Sequence, residues 1–372
     1  MLVESPVSTP VNELAWTPAL GFRNFWYPLI ESNRVGAKPV PLRILGEDLV
    51  LFRAGDRVAA LVDRCAHRGS KLSKGRVLFP NTVSCPYHGW TYDASGECVA
   101  AVAEGPDSQI PGRARVRAYP TEERAGVVWG FIGDIDPPPL DEDLPPPLRD
   151  PGHVVHVFFE DWECDWRNLT ENYPDLCHVP VVHRTSIDML FKKVPIWTKL
   201  TRADVLPDGK GVVVASGGGT LKAEFPAAGV YPRKSWWRVQ SGGRGRVNFD
   251  LQIRMPGYIV LPLRPMAFLG AWAGNVQWPV PVEEGKTRVF EVTYTLPPSP
   301  FHGAISSLWY HLFYRWEHPM FFAHQDRNAV EGQSYRQNEM LSATDVGIVQ
   351  WRRTSAKLAR ERASELRARA RQ

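Results

Sequence analysis

Two short loops carry the residues best suited to chemistry. Cys65-Ala66-His67-Arg68-Gly69 comes first, and after seventeen residues beyond His67 comes Cys85-Pro86-Tyr87-His88-Gly89-Trp90. Each loop offers one thiolate and one imidazole. Structural zinc sites usually group their ligands as Cys-x(2–4)-Cys and His-x(3–5)-His pairs, so zinc is a minor competitor here. A two-iron cluster suits the pattern better, with Cys65 and Cys85 on one iron and His67 and His88 on the other. Neutral imidazole in place of thiolate removes negative charge, which raises the reduction potential to roughly −150 to +300 mV. Gly69 and Gly89 follow their loops where backbone must pass close to a cluster, and Pro86 fixes one loop dihedral.

The elements that hold these loops read as strands. Trp26–Ile30, Pro41–Leu45, Asp48–Arg53 and Arg57–Val62 are short, β-branched or aromatic, and split by turn residues at Gly46-Glu47 and Gly55-Asp56. Trp90–Asp93 and Glu97–Val99 are expected to pair across Ala94-Ser95-Gly96, and Gly126–Ile132 supplies another strand. Both loops therefore emerge from a small antiparallel β domain. Six prolines between Asp134 and Pro147 interrupt any regular element and predict an extended connector to a second domain.

That domain opens with an expected strand from Val154 to Asp161 and then a second informative stretch. Asp165 is a good N-cap for a helix through Tyr173, Pro174 interrupts it, and Asp175, His178 and His183 follow. Two histidines five positions apart converge on one metal if the backbone between them is irregular, and Pro174 and Pro180 favour that. Alone they read equally as core or surface histidines. From about Gly211 to Thr295 repeated β-rich runs predict one large antiparallel sheet, among them Trp236–Val239, Val247–Leu251 and Ala267–Gly270. Phe301 to Gln333 reads as helical, broken near Pro319, and offers Asp326, with Glu317 and Glu331 as rivals. Asn168 and Asn172 share a helix face at i, i+4 spacing. Trp197, Trp236, Trp237, Trp272 and Trp278 are candidates for an aromatic pocket or for core.

Composition narrows the classes further. The 372 residues exceed one typical core, 44% of them are hydrophobic, and no apolar run approaches the roughly 20 residues of a membrane span. The first residues lack a basic and apolar leader, which places the expectation in the cytoplasm, without membrane attachment. Five cysteines do not suggest a disulfide scaffold. A net charge of +4 is too mild for a nucleic-acid binder. Arg360, Arg362, Arg367, Arg369 and Arg371 concentrate the excess in a tail that reads as a solvated helix.

Taken together, the chain resembles the α subunit of a Rieske non-haem iron ring-hydroxylating oxygenase over nearly its full length. The family's Cys-x-His and Cys-x-x-His pairs match Cys65, His67, Cys85 and His88, and its Asp-x-x-His-x-x-x-x-His motif matches Asp175, His178 and His183. The third iron ligand falls on Asp326 within Gln-Asp-Arg-Asn-Ala-Val-Glu. Leu20–Pro28, Gly133–Leu140 and Ile348–Arg352 are similar to the α-only, homotrimeric group that contains carbazole dioxygenase. That enzyme has three residues between its iron histidines and this chain has four, so carbazole is not carried over as the substrate.

The resemblance implies an α+β chain: an arm over 1–23 packing on the catalytic domain, and a small all-β Rieske [2Fe-2S] domain over 24–137. A helix-grip-like catalytic domain over 138–354, in which a large antiparallel sheet wraps a long C-terminal helix, and an Arg-rich tail over 355–372 complete it. It also implies a [2Fe-2S] cluster, a mononuclear Fe(II), dioxygen as co-substrate, and electrons from NAD(P)H through a reductase and ferredoxin. His178, His183 and Asp326 would form a two-histidine, one-carboxylate site with open positions. Asp175 would bridge His178 to a cluster histidine of a neighbouring subunit in a homotrimer, and Asn168 and Asn172 would line the pocket. The product class stays open between dihydroxylation, hydroxylation, demethylation and oxidative cyclisation of an aromatic, heterocyclic or other largely apolar small molecule. A Rieske electron carrier without the oxygenase iron is the alternative.

Overall fold

The computed structural model of the chain describes residues 17–183, 185, 201–216, 250–261, 264–266, 271–317, 323–336, 339–369 and 371. Short apolar runs separated by turns satisfy their backbone groups only by pairing, and the first domain is built that way. Its strands are β1 (Phe25–Glu31), β2 (Val40–Ile44), β3 (Glu47–Ala54), β4 (Arg57–Val62), β5 (Val83–Ser84), β6 (Trp90–Tyr92), β7 (Cys98–Ala101), β8 (Ala118–Tyr119), β9 (Thr121–Arg124) and β10 (Val127–Ile132). They make three antiparallel sheets, ordered β1-β10-β9, β2-β3-β4-β8 and β5-β6-β7. The expected hairpin is present, with Tyr92 opposite Cys98 and a bulge between Thr91 and Tyr92.

Strand β3 faces two cores, because successive side chains point to opposite sides. Leu49 and Leu51 enter a large core shared with the second domain, while Val50 and Phe52 enter a small one under the cluster loops with Leu61, Leu72, Val83, Tyr92 and Cys98. The proline-rich passage differs from the extended connector expected. Its prolines end the sheet, but Leu140, Leu144 and Leu148 are buried, and α1 (Pro146–Arg149) closes it. Trp26 fastens the passage, its backbone N–H to Asp143 at 3.1 Å and its indole N–H to the Pro138 carbonyl at 2.8 Å.

In the second domain follow β11 (Val154–Trp162), α2 (Trp166–Asn172), α3 (Val179–Val182), β12 (Thr201–Val205), β13 (Gly211–Ser216), β14 (Asp250–Arg254), β15 (Tyr258–Val260), β16 (Arg264–Met266), β17 (Ala271–Glu283) and β18 (Lys286–Leu296). Among the described residues the sheet runs β11-β18-β17-β15-β14-β13-β12, with β16 also on β17. The helices α4 (Pro300–Trp309, continued by a π-helical turn through Tyr314), α5 (His324–Val330) and α6 (Val346–Arg369) complete the domain. The expected runs at Trp236–Val239 and Ala267–Gly270, and also Trp197, lie outside the described residues, as do residues 247–249 of the run whose Asp250 and Leu251 open β14.

The sheet has two working faces. Trp278 and Phe290 are cross-strand partners and face the first domain, where Tyr27 lies 5.7 Å from Trp278 and Trp129 lies 5.6 Å from Phe290. Trp278 is thus core of the seam. Gln277 and Glu291, opposite one another on the reverse face, belong to the helix side, where the Asn275 amide donates to the Tyr314 hydroxyl and to Glu291 at 3.3 Å.

The arginine-rich tail is a helix solvated on one side only, with Arg360, Arg367, Arg369 and Arg371 exposed. Helix α6 begins at Val346, runs unbroken past 355 and buries Trp351, Arg352, Ser355, Ala356 and Leu366. Arg362 forks onto Asp143 at 2.8 and 2.9 Å with its guanidinium 4.8 Å over Phe25, and Arg369 reaches Glu142 at 3.0 Å. The carboxylates that receive these arginines sit on the docked proline-rich passage, more than two hundred residues earlier.

Candidate active site: a cluster tip and a metal centre

The two cysteine loops close in the same way. Gly69 N–H donates to the Cys65 carbonyl at 2.9 Å and Gly89 N–H to the Cys85 carbonyl at 3.1 Å; both glycines have positive φ, +76° and +70°. A Cβ on Gly89 would also meet Val102 Cβ at 2.7 Å, so the loop needs glycine for space as well as conformation. The rings of His67 and His88 stand 4.7 Å apart, and Trp90 stacks on His67 at 4.7 Å. His88 Nδ1 is buried with no hydrogen-bond partner, the mark of a nitrogen meant for a metal. The Tyr92 hydroxyl accepts from Ala66 N–H at 3.1 Å, which turns its own hydrogen toward Cys65 Sγ at 3.2 Å. Burial pushes the Cys65 thiol up, so a thiolate there requires nearby positive charge, which cluster iron supplies. The four residues fit a Rieske cluster.

The metal centre is assembled by three helices. Asp165 caps α2, accepting from Arg167 N–H at 2.8 Å, and the helix stops at Tyr173 before Pro174. Helix α3 is one turn long with Pro180 at its second position; His178 caps its start and His183 its end, and this brevity brings the two rings to 5.3 Å. Asp326 on α5 is 3% exposed and aims one oxygen at both, Oδ1 lying 3.1 Å from His183 Nε2 and 3.4 Å from His178 Nε2.

The far nitrogens of both rings are committed. His178 Nδ1 donates to the Asp175 carbonyl and His183 Nδ1 to Gln325 Oε1 at 3.1 Å. In neutral rings held this way each Nε2 carries a lone pair, and two lone pairs facing a carboxylate oxygen repel unless a cation sits among them. The three ligand atoms lie within 4.8 Å of one another, which fits a two-histidine, one-carboxylate iron site.

The other expected residues are distributed unevenly. Asn172 reaches the centre, its Nδ2 donating to Asp326 Oδ1 at 3.1 Å. Asn168, one turn earlier, instead donates to the Gln333 carbonyl at 2.9 Å, so its amide serves the chain after α5 rather than a pocket at the metal. The Asp175 carboxylate is half-buried, which raises it above its ordinary value, and it accepts from Cys177 N–H at 3.0 Å; its contact with His178 runs through the backbone carbonyl. Glu331 pairs with Arg327 at 2.7 Å and is no rival to Asp326. Gln325 and Tyr92 carry no signal of their own in the sequence beyond their positions, one next to Asp326 and the other two residues past the Cys85–Trp90 loop.

A cluster tip and a two-histidine, one-carboxylate centre in one chain define the class of Rieske-type oxygenases. Residues 25–120 match the Rieske [2Fe-2S] domain and residues 162–361 the vanillate O-demethylase oxygenase C-terminal domain. The chain is 33% identical over 292 residues to the terminal oxygenase component of carbazole 1,9a-dioxygenase from Sphingomonas sp, covering 74% of this chain and 75% of that one. It is 32% identical over 227 residues to the oxygenase component of dicamba O-demethylase from Stenotrophomonas maltophilia, covering 58% of this chain and 62% of that protein. The solved terminal oxygenase of carbazole 1,9a-dioxygenase from Novosphingobium sp. KA1 superposes with a TM-score of 0.74 at 28% identity, over 92% of this chain and 94% of that one. The chain belongs to the Rieske non-haem iron oxygenases, the terminal oxygenases that combine a [2Fe-2S] cluster with a mononuclear iron and dioxygen. The electron-carrier alternative is not favoured, since the relatives are oxygenases.

Proposed function

We propose that Cys65, His67, Cys85 and His88 hold the cluster, that His178, His183 and Asp326 hold ferrous iron, and that an aromatic or heterocyclic small molecule is oxygenated between the sheet and α4. The convergence of two Nε2 atoms on one buried Asp326 oxygen carries this reading. When bound, the iron supplies dioxygen activation and the cluster supplies electrons one at a time. Everything else is work for the chain itself. Gln325 and the Asp175 carbonyl fix the two ring tautomers, and Asn172 fixes the carboxylate. The helix side of the sheet presents Asn275, Gln277 and Glu291, buried polar groups able to orient a heteroatom of the substrate. Buried Tyr173, within electrostatic reach of Asp326 and Glu291, has its hydroxyl pushed up by burial and then by both charges, and stays neutral.

Electrons would come from an acidic ferredoxin fed by an NAD(P)H-dependent reductase. Arg64, Arg68, Arg115 and Arg117 line a recess of about 610 Å³ beside Cys65 and His67, a basic surface that favours such a partner. One solved relative, at 25% identity and a TM-score of 0.72 over 91% of this chain and 90% of that one, is the reduced complex between oxygenase and ferredoxin in carbazole 1,9a-dioxygenase. The half-buried carboxylate of Asp175 would face a cluster histidine of a neighbouring subunit in a homotrimer. No helix among the described residues is long and apolar enough to cross a membrane. A cytoplasmic location stays part of the proposal. The test is stoichiometry: three irons and two acid-labile sulfides per chain are expected, and Asp326→Ala should lose one iron and all product while keeping the cluster's paramagnetic resonance signal. Two irons and two sulfides in the wild type would overturn the reading.

A further inference from the structure

We infer that Arg352, on the C-terminal helix, is a positioning residue for the metal centre: it locks the last turn of α2 through Glu171 and thereby the Asn172 amide against Asp326. The inference rests on the proposed iron triad. Helix α2 has only seven residues, too few to be stable on propensity. Its first turn is held by the Asp165 cap and by the Trp166 indole N–H, which reaches the Pro18 and Ala19 carbonyls at 3.1 and 3.0 Å. Its last turn carries Glu171 and Asn172, and the tie at that end is Glu171.

Arg352 is 1% exposed and uses all three nitrogens. Nε donates to Glu171 Oε1 at 2.8 Å and Nη2 to Glu171 Oε2; Nη1 and Nη2 each donate to a Glu339 oxygen at 2.7 Å. The Tyr335 hydroxyl adds a bond to Glu171 at 3.1 Å, and the Arg167 guanidinium lies 3.9 Å over the Tyr335 ring. Buried ion pairs contribute little net stability compared with apolar packing, because desolvation offsets the attraction. What a planar, two-pronged guanidinium does provide is direction, which a lysine or an apolar side chain cannot reproduce. The far end of the same helix is pinned by Arg362 to Asp143 of the proline-rich passage, which Trp26 fastens to the first domain, so Arg352 is held from a fixed strut rather than from a loop.

The experiment compares Arg352→Lys, Tyr335→Phe and Leu366→Ala in the full-length protein with its cluster intact. Ferrous-iron affinity is read by competition with a chelator, the melting temperature by calorimetry, and coupling as product formed per dioxygen consumed. Arg352→Lys should weaken ferrous iron about tenfold and lower coupling, and Tyr335→Phe should do the same to a smaller degree. Leu366→Ala, a cavity on the same helix away from the network, should lower the melting temperature as much or more with iron affinity unchanged. Wild-type iron affinity in both Arg352→Lys and Tyr335→Phe, or an equal loss in Leu366→Ala, would overturn the inference while leaving the triad intact. A wild-type protein with no ferrous site would overturn both.

Discussion

Asn172 Nδ2 sits 3.1 Å from Asp326 Oδ1, the same oxygen that both iron-side imidazole nitrogens face. Of the three partners of that oxygen the amide is the one that would not bind metal, so it can hold the carboxylate in place from outside the ligand set. Asn172→Ala should therefore lower ferrous-iron affinity by about 10- to 100-fold. Competition with a chelator measures it. Unchanged affinity would remove Asn172 from the site.

Gln325 is oriented from behind. Its Nε2 donates to Thr185 Oγ1 at 2.9 Å, which leaves Oε1 to accept from His183 Nδ1. Gln325→Leu deletes that acceptor and frees the ring to adopt the other tautomer, with a loss of about tenfold in iron affinity expected. Gln325→Glu keeps an acceptor and should retain most of it; equal losses in the two variants would refute the tautomer argument.

In the proposed cluster site, Tyr92 would tune the potential through its bond to Cys65 Sγ. A donor to a sulfur favours the reduced, more negative cluster, so Tyr92→Phe should lower the midpoint potential. The shift is about 60 mV for each roughly 1.4 kcal/mol by which the bond prefers the reduced state. Redox titration followed by paramagnetic resonance reads it, and an unmoved or raised potential would contradict the assignment.

Two buried groups give opposed pH dependences. Burial pushes the Asp143 carboxyl up to about 6 against the pull of Arg362. Its contribution is present below the unfolded value of 3.8 and is lost as pH rises to about 6. His156 stacks on Tyr310 at 4.1 Å, and burial, with His311 nearby, lowers it to about 4. Its contribution is present above 6.5 and lost as pH falls toward 4. Asp143→Asn should thus steepen the fall in melting temperature on acidification from pH 6.5 to 4.5, and His156→Phe should flatten it. Parallel profiles for the two variants and the wild type would disprove both assignments.

The candidate ligands are legible because their signals are local: each cysteine–histidine loop and the His178 and His183 pair lie within a few residues of chain. Asn168 illustrates the limit of periodicity. It shares a helix face with Asn172 as i, i+4 spacing requires, but the chain leaving α5 crosses that face at Gln333 and takes its amide. Nor does spacing reveal long-range ion pairs. Arg362 and Asp143 are 219 residues apart, and Arg352 and Glu171 are 181 apart, so a helix that reads as a solvated tail is in fact anchored at both domains. Prolines likewise predicted the end of a sheet correctly and an extended spacer wrongly, because what a passage packs against depends on its leucines.

The two-sided strand β3 decides how the molecule could be taken apart. The chain between Leu61 and Ala118, which pair side by side on β4 and β8, packs on a small core that it shares with Val50 and Phe52 of β3. That makes the tip a cartridge whose two leads enter and leave together. A graft spliced at those residues would carry a different redox group into the same socket, whereas a cut through the prolines would tear open the aromatic seam joining Trp129 to Phe290.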